Sequence, residues 1–412
     1  MVNSYLDRIL LFSIFFQAVG FFPGIDTQPN FILLCLILFP FIISRLVVSA
    51  VPLSVLFILT CSLLAAFLFH VDNITLKTAL TYLAPVFIAY AIFILNVSGC
   101  LNLSTRFLLI VVFIYSFVGV CQFIKPDFLS FLVTRSVDAA LSFSESGRGV
   151  RSLTGEPAHF GKIITIINVF FVLTYAKEKG MKFNTYDVNY ILSVSLFLLL
   201  INVLVPRSFY SIFNHALVFY FLIVFFRPKL SLVILVSFVS ILLVWGASLS
   251  FIDSDVRFVN ILNYMLNEPQ RLLDFGAFRR VMNIPLTFYN LSFFGPYGAG
   301  DSDFSIYTSF STPLGELYYN VFGRLYGGVF EYTLKFGVFS IPILACVLLL
   351  MCSALKLRVF VNGQSSNLGG WLLFALFLIL FQDGAPAKPL PIFLLIYTYC
   401  TVLNLRRGGE VI

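Results

Sequence analysis

Apolar runs of membrane-spanning length follow one another along this chain, separated by short charged loops and by two long polar segments. A helix crosses the hydrocarbon layer in about 20 residues. In lipid every backbone polar group must be bonded internally, so runs of this kind are expected to be helices. The pattern predicts about twelve spans. They are Ile9–Phe22, Phe31–Val47, Val51–Phe69, Leu76–Leu95, Phe107–Ile124, Pro157–Tyr175, Asn189–Val205, Phe209–Phe226, Leu230–Ser250, Val329–Ala354, Gly370–Gln382 and Pro389–Leu405. Asp7-Arg8 and Pro23-Gly24 flank the first run and no small-residue cleavage site follows it, so it is expected to stay as a helix rather than leave as a signal peptide. No repeat of fixed period is visible, which weakens a transporter built from inverted halves. The expected architecture is an all-α polytopic membrane protein, one integral membrane domain over 1–412, with two large loops at approximately 125–156 and 251–328.

Composition removes the soluble alternative. The chain is 60% hydrophobic and 11% charged, whereas a soluble domain carries about 25% charged residues. The short loops then fix an orientation through Lys and Arg. Arg8, Arg45, Arg106, Lys177, Lys179, Lys182, Arg227, Lys229, Lys356, Arg358, Arg406 and Arg407 fall on one face, with Asp7, Glu178, Asp187 and Glu410 as its few acids. This face is expected in the cytoplasm together with both termini. The two long loops then lie outside, where Asp26 and Asp72 occupy the early connections. The formal charge of +7 is mostly this loop excess and implies no nucleic-acid partner. The seven Cys show no CxxC or Cys/His spacing, so they are expected to pack as small apolar residues rather than hold zinc.

Three outer-face features could carry chemistry. In the first, Arg148-Gly149-Val150-Arg151 leads to Glu156-Pro157 and His159. Proline suits the first helical turn, and a carboxylate just before it sits at the positive end of the helix dipole, which favours its ionised form. Glu156 could then serve as a general base for a hydroxyl; the alternative is a capped helix with a solvated loop. The second feature is Pro206-Arg207-Ser208, in a very short outer turn. Its guanidinium fork suits a phosphate, the alternative being an arginine that snorkels to the interface. The third is the segment 251–328, with Arg271, Arg279-Arg280, the Gly-rich Gly295–Asp303 and the hydroxyl and aromatic run to Tyr318 and Tyr319. The glycines read as a turn more readily than as an anion nest. Asp301 and Asp303 are x-spaced like a metal-binding pair, but without further ligands they are not expected to hold one. His70 and His215 read as satisfied packing histidines.

Taken together, the residues Arg151-Ser152-Leu153-Thr154-Gly155-Glu156-Pro157-Ala158-His159-Phe160-Gly161, Pro206-Arg207-Ser208, Phe294–Gly300 after Arg279-Arg280, and Leu334-Lys335-Phe336-Gly337 resemble motifs of Wzy-type O-antigen polymerases. These belong to the superfamily of bacterial polysaccharide polymerases and O-antigen ligases. The layout of spans and loops resembles that family over nearly the whole chain. There are departures: Arg151 reaches Gly161 one residue short of the family's Arg-x10-Gly pattern, and Ala158 stands where the family has Ser. No His lies between Phe251 and Gly337, which favours polymerase over ligase.

The resemblance implies a GT-C-like fold in the bacterial inner membrane and glycosyl transfer at its periplasmic face, without metal or other cofactor. Donor and acceptor would both be oligosaccharides linked to undecaprenyl pyrophosphate, with a flippase and a chain-length regulator as further partners beside the membrane lipids. Glu156 would be the base, with Asp301 or Glu316 as less favoured candidates, and Arg279 and Arg280 would stabilise the leaving pyrophosphate. Arg148, Arg151, Arg207, His159, Asp301, Asp303 and Tyr318 would bind substrate. The competing readings are a ligase of the same superfamily and a flippase or other transporter of lipid-linked glycan. A transporter places charges mid-span, whereas here Lys77, Lys162, Glu331 and Lys335 sit near span entrances.

Overall fold

The computed structural model describes residues 2–20, 30–37, 50–72, 74–99, 101–133, 149–227, 295–298, 300, 307–312, 315–320, 328–382 and 388–407. The described chain is mostly helical. In its first part α1 (Val2–Phe15), α2 (Asn30–Ile37), α3 (Ala50–Phe69), α4 (Leu76–Val97), α5 (Thr105–Ile124) and α6 (Pro157–Glu178) are followed by a short strand, β1 (Lys182–Phe183). Then come α7 (Thr185–Leu204), α8 (Phe209–Phe226), the hairpin β2 (Tyr307–Thr312) and β3 (Gly315–Asn320), α9 (Gly328–Phe336) and α10 (Ile341–Ser353). A second hairpin, β4 (Val359–Val361) and β5 (Gln364–Ser366), leads to α11 (Leu368–Gln382) and α12 (Pro389–Arg407).

Local chemistry sets the helix starts. Ser104 opens α5 and its hydroxyl accepts from Phe107 N at 3.3 Å. Asn184 and Asp187 open α7 as a reciprocal capping box, and Pro157 takes the first turn of α6. Five described helices are long and apolar enough to cross a membrane, and four more apolar helices are shorter. The protein is therefore compatible with a helical membrane protein, and its surface agrees. Along α5, Ile110, Phe113, Phe117, Val120 and Ile124 are exposed, while Leu108, Val111, Tyr115, Val118 and Gln122 are buried. An apolar stripe turned outward is what a lipid solvent accepts and water does not.

Burial singles out α6. Within its apolar stretch 83% is buried inside the protein, against 17–39% for the other four spans. Phe170 of α6 packs against Phe15 of α1 and against Phe393 and Tyr397 of α12, with ring centroids 5.0–5.8 Å apart. The helix that begins at Glu156-Pro157 is thus the axis around which the others pack.

Contacts between connections sort the loops onto two faces. On one, Thr105 donates to Glu178 through its amide at 3.0 Å and its hydroxyl at 2.8 Å. On the same face β1 pairs in parallel with β4, Lys182 opposite Phe360 and Phe183 opposite Val361. That face carries Arg106, Lys177, Lys179, Lys182, Arg227, Lys356 and Arg358, the basic group the sequence placed together. On the other face Val150 N bonds Val205 O, Gly20 N bonds Leu132 O, and His70 reaches Tyr297.

Several expectations are corrected. The first helix is Val2–Phe15, not Ile9–Phe22; beyond it the chain turns, and Val19 pairs with Val133. The span predicted at Val329–Ala354 is found as the candidate span Tyr332–Lys356 and includes a short 3-10 turn at Gly337–Ser340 that begins at φ +50°. The chain also carries a three-stranded sheet and a hairpin that the all-α expectation omitted. The predicted span Leu230–Ser250 lies outside the described residues.

Candidate functional site

The approach to α6 is held by a side chain from the middle of an apolar helix. Gln122 of α5 is 2% exposed. Its amide nitrogen donates to Phe128 O and Ser152 O, each at 3.1 Å, while its oxygen accepts from Ser152 N at 2.7 Å. A single amide thus satisfies loop backbone as a neighbouring strand would. Ser152 sits at φ +52°, and its hydroxyl donates to Tyr115 O at 2.6 Å. The Thr154 hydroxyl lies 2.6 Å from Arg151 O and 2.7 Å from Glu156 O, so its one proton tightens the turn between them. Arg151 is 2% exposed and among the largest fully buried side chains. A guanidinium stays charged, so its burial is tolerated only where polar groups surround it.

Glu156 is the residue that opens α6, in extended conformation. Its carbonyl accepts from His159 N at 3.0 Å and Phe160 N at 3.2 Å. Its carboxylate makes no capping bond to the helix. The backbone carbonyl and Pro157 therefore account for the helix start, and the acid group is not consumed by it. Glu156 and His159 are half-buried, one turn apart at the start of α6.

The second feature docks onto this loop. A Cβ added to Gly149 would lie 2.2 Å from Val205 O and 2.4 Å from Pro206 C, so only glycine permits the approach. Val150 N bonds Val205 O at 3.2 Å. In the turn itself Arg207 takes φ +48°, a conformation that costs about 1–3 kcal/mol in a non-glycine residue and tends to occur at functional sites. Its Nε donates to Leu204 O at 3.1 Å and its guanidinium lies 5.0 Å from the Phe123 ring centroid. The group is exposed. Its Nε and the Phe123 ring hold the planar group, a shape that could pair with an oxyanion.

The third and fourth sequence features also meet. Val338 N donates to Pro296 O at 2.8 Å and Gly300 N to Lys335 O at 3.0 Å. Gly298 and Gly337 take φ +84° and +50°, and a Cβ on Gly337 would fall 2.0 Å from Pro296 O. The described part of the Gly-rich piece is a turn docked on the Lys335–Val338 backbone, with Gly298 N bonded to Gly295 O and Gly300 N to Lys335 O. His70 Nε2 lies 2.9 Å from Tyr297 O; a carbonyl only accepts, so this nitrogen carries the proton. His70 is thus a satisfied histidine that fastens the same turn to the end of α3.

Arg148, Arg271, Arg279, Arg280, Asp301 and Asp303 lie outside the described residues. Tyr318 and Glu316 fall in β3, opposite Ser309 and Ser311. Among the described residues no group of three or more His, Cys, Asp or Glu could hold a metal ion. The sequence reading missed Gln122, Asn168 and Asn202, whose signal was simply a polar side chain inside an apolar span. It also missed Lys388, a buried cation at the start of α12.

The fold is compatible with a helical membrane protein in which two loops meet near the start of the most buried helix. No family model, curated protein or solved structure matches the chain.

Proposed function

We propose that this protein is a polysaccharide polymerase of the O-antigen polymerase and ligase superfamily, a metal-independent glycosyltransferase with about twelve spans and a GT-C-like architecture. In this reading it lies in the bacterial inner membrane with both termini and the basic face in the cytoplasm, following the positive-inside rule. Its reaction centre faces the periplasm. One observation carries the reading. Gly149 and Val150, which lead into the Arg151–Gly161 stretch, dock backbone to backbone on Val205 and Pro206, which lead into Arg207, near the start of the most buried helix. Glu156 at the start of α6 and the exposed Arg207, stacked on Phe123, flank this docking.

The chemistry follows from the groups. The acceptor sugar hydroxyl attacks the anomeric carbon of the donor glycan. Its proton passes to the Glu156 carboxylate as the new C–O bond forms. The bond from that carbon to undecaprenyl pyrophosphate breaks, and the pyrophosphate leaves with the electron pair. A pyrophosphate is a good leaving group, so charge stabilisation by Arg207, with Arg279 and Arg280, serves better than a protonating acid. Arg148, Arg151, His159, Asp301, Asp303 and Tyr318 would orient the glycan. The energised lipid donor removes any need for a nucleotide outside the membrane.

Deletion of the gene is expected to collapse the surface polysaccharide from a ladder of chain lengths to a single repeat unit, restored by the gene in trans. Loss of every repeat unit, the single one included, would assign the protein to ligation or transport instead.

A further inference from the structure

Beneath this face lies a buried polar chain that none of the roles above uses. Asn168 of α6, Ser195 and Asn202 of α7, and Ser211 and His215 of α8 are each 0% exposed. The Asn202 amide nitrogen lies 3.1 Å from Gly161 O, 3.3 Å from Ser211 O and 3.2 Å from His215 Nδ1. Its oxygen accepts from the Ser211 hydroxyl at 3.0 Å. On the far side of the ring, His215 Nε2 lies 3.0 Å from the Asn168 amide, which also meets the Ser195 hydroxyl at 2.8 Å.

These partners decide the protonation pattern. Asn202 faces two backbone carbonyls, which only accept, so its NH2 must point at them and at His215. Nδ1 of His215 is therefore the lone-pair nitrogen and Nε2 carries the proton. The Asn168 amide accordingly turns its oxygen to Nε2–H and its NH2 to Ser195. These contacts tie α6, α7 and α8 together through one set of buried polar groups.

Placement gives the chain its consequence. Gly161 follows Glu156 by five residues, a helical rise of about 7 Å, and Asn202 lies in the last turn of α7, five residues before Arg207. A Cβ on Gly161 would fall 2.1 Å from the Ser211 hydroxyl and 2.4 Å from the Asn202 oxygen, so these two side chains seat directly on the glycine. Bonds between membrane helices contribute little stability on average; their effect here is on position.

We propose that Asn202, oriented by His215, is a positioning residue that holds the Glu156 end of α6 in register with the Arg207 turn. The inference rests on reading that face as the reaction centre. The test uses the full chain in nanodiscs, with spin labels at cysteines replacing Ala158 and Ser208 in a cysteine-free background. Asn202→Leu is expected to shift or broaden the distance between the labels. Turnover should fall about 10²-fold, the scale of a misplacement near 1 Å, with KM for the lipid-linked donor unchanged. An unaltered distance distribution overturns the proposal. A shifted distance in a protein whose parent forms no polymer upholds the clamp and removes the polymerase reading. Nitrogen-15 NMR of histidine in the unmutated chain tests the same geometry without any variant. His215 should be protonated at Nε2 and bare at Nδ1, and an Nδ1–H signal would overturn the assignment.

Discussion

Replacing Glu156 by Gln is expected to lower polymer synthesis by roughly 10²–10⁴-fold, the range for loss of a general base. The substitution keeps the shape of the side chain and its hydrogen-bonding capacity but removes the basic oxygen. The helix start should be indifferent to it, because α6 is started by the Glu156 carbonyl and by Pro157 while the carboxylate makes no cap bond. The loop from Gly149 to Glu156 is docked on Val205, two residues before Arg207. The variant should accumulate lipid-linked single repeat units at normal protein levels, read from the glycan ladder and from a blot of the membrane fraction. Near-normal polymer would leave Glu156 as a structural residue and move the base to Asp301, Asp303 or Glu316.

Gly149→Ala should act through geometry rather than chemistry. The new methyl would enter within 2.2 Å of Val205 O and 2.4 Å of Pro206 C, and both are backbone atoms that cannot swing aside. Overpacking of this kind costs about 1–3 kcal/mol. The larger effect is on the site, since the loop must lift from the turn that orients Arg207, and a displacement near 1 Å suffices for about a 10²-fold loss of rate. Gly370→Ala is the control: nothing lies within 4 Å of a Cβ there, and a helical glycine changed to alanine gains about 1 kcal/mol of propensity. Comparison of the two variants by thermal unfolding and by glycan ladder separates the close approach from any general intolerance of change. Equal behaviour of the two would mean that the docking of Gly149 on Val205 is without consequence.

The elements dictated by local pattern were readable from the chain. Phe209–Phe226 has its predicted bounds, α4 begins at Leu76 and α6 at Pro157, because apolar runs with polar or proline edges define their own ends. The first helix was misplaced because its apolar run continues beyond Phe15, where the chain turns to pair Val19 with Val133. Such pairing is set by a distant segment and leaves no periodic mark. The same holds for Lys182–Phe183 against Val359–Val361, too short a pair to show alternation. At the site, residue types pointed to Glu156, Arg151 and Arg207 one by one. That Gly149 and Val150 seat on Val205 and Pro206, or that Gln122 holds Ser152, depends on helix packing. His70 and His215, read as satisfied packing histidines, are each hydrogen-bonded within the fold.

The most direct measurement is transfer by the purified protein in liposomes that contain undecaprenyl-pyrophosphate-linked repeat units and EDTA, with no nucleotide. The account predicts lipid-linked chains of several repeats and one undecaprenyl pyrophosphate released for each linkage formed. Chains that appear only after Mg²⁺ or Mn²⁺ is restored would make Asp301 and Asp303 metal ligands. Movement of the lipid-linked unit across the bilayer with no new glycosidic bond would contradict the account.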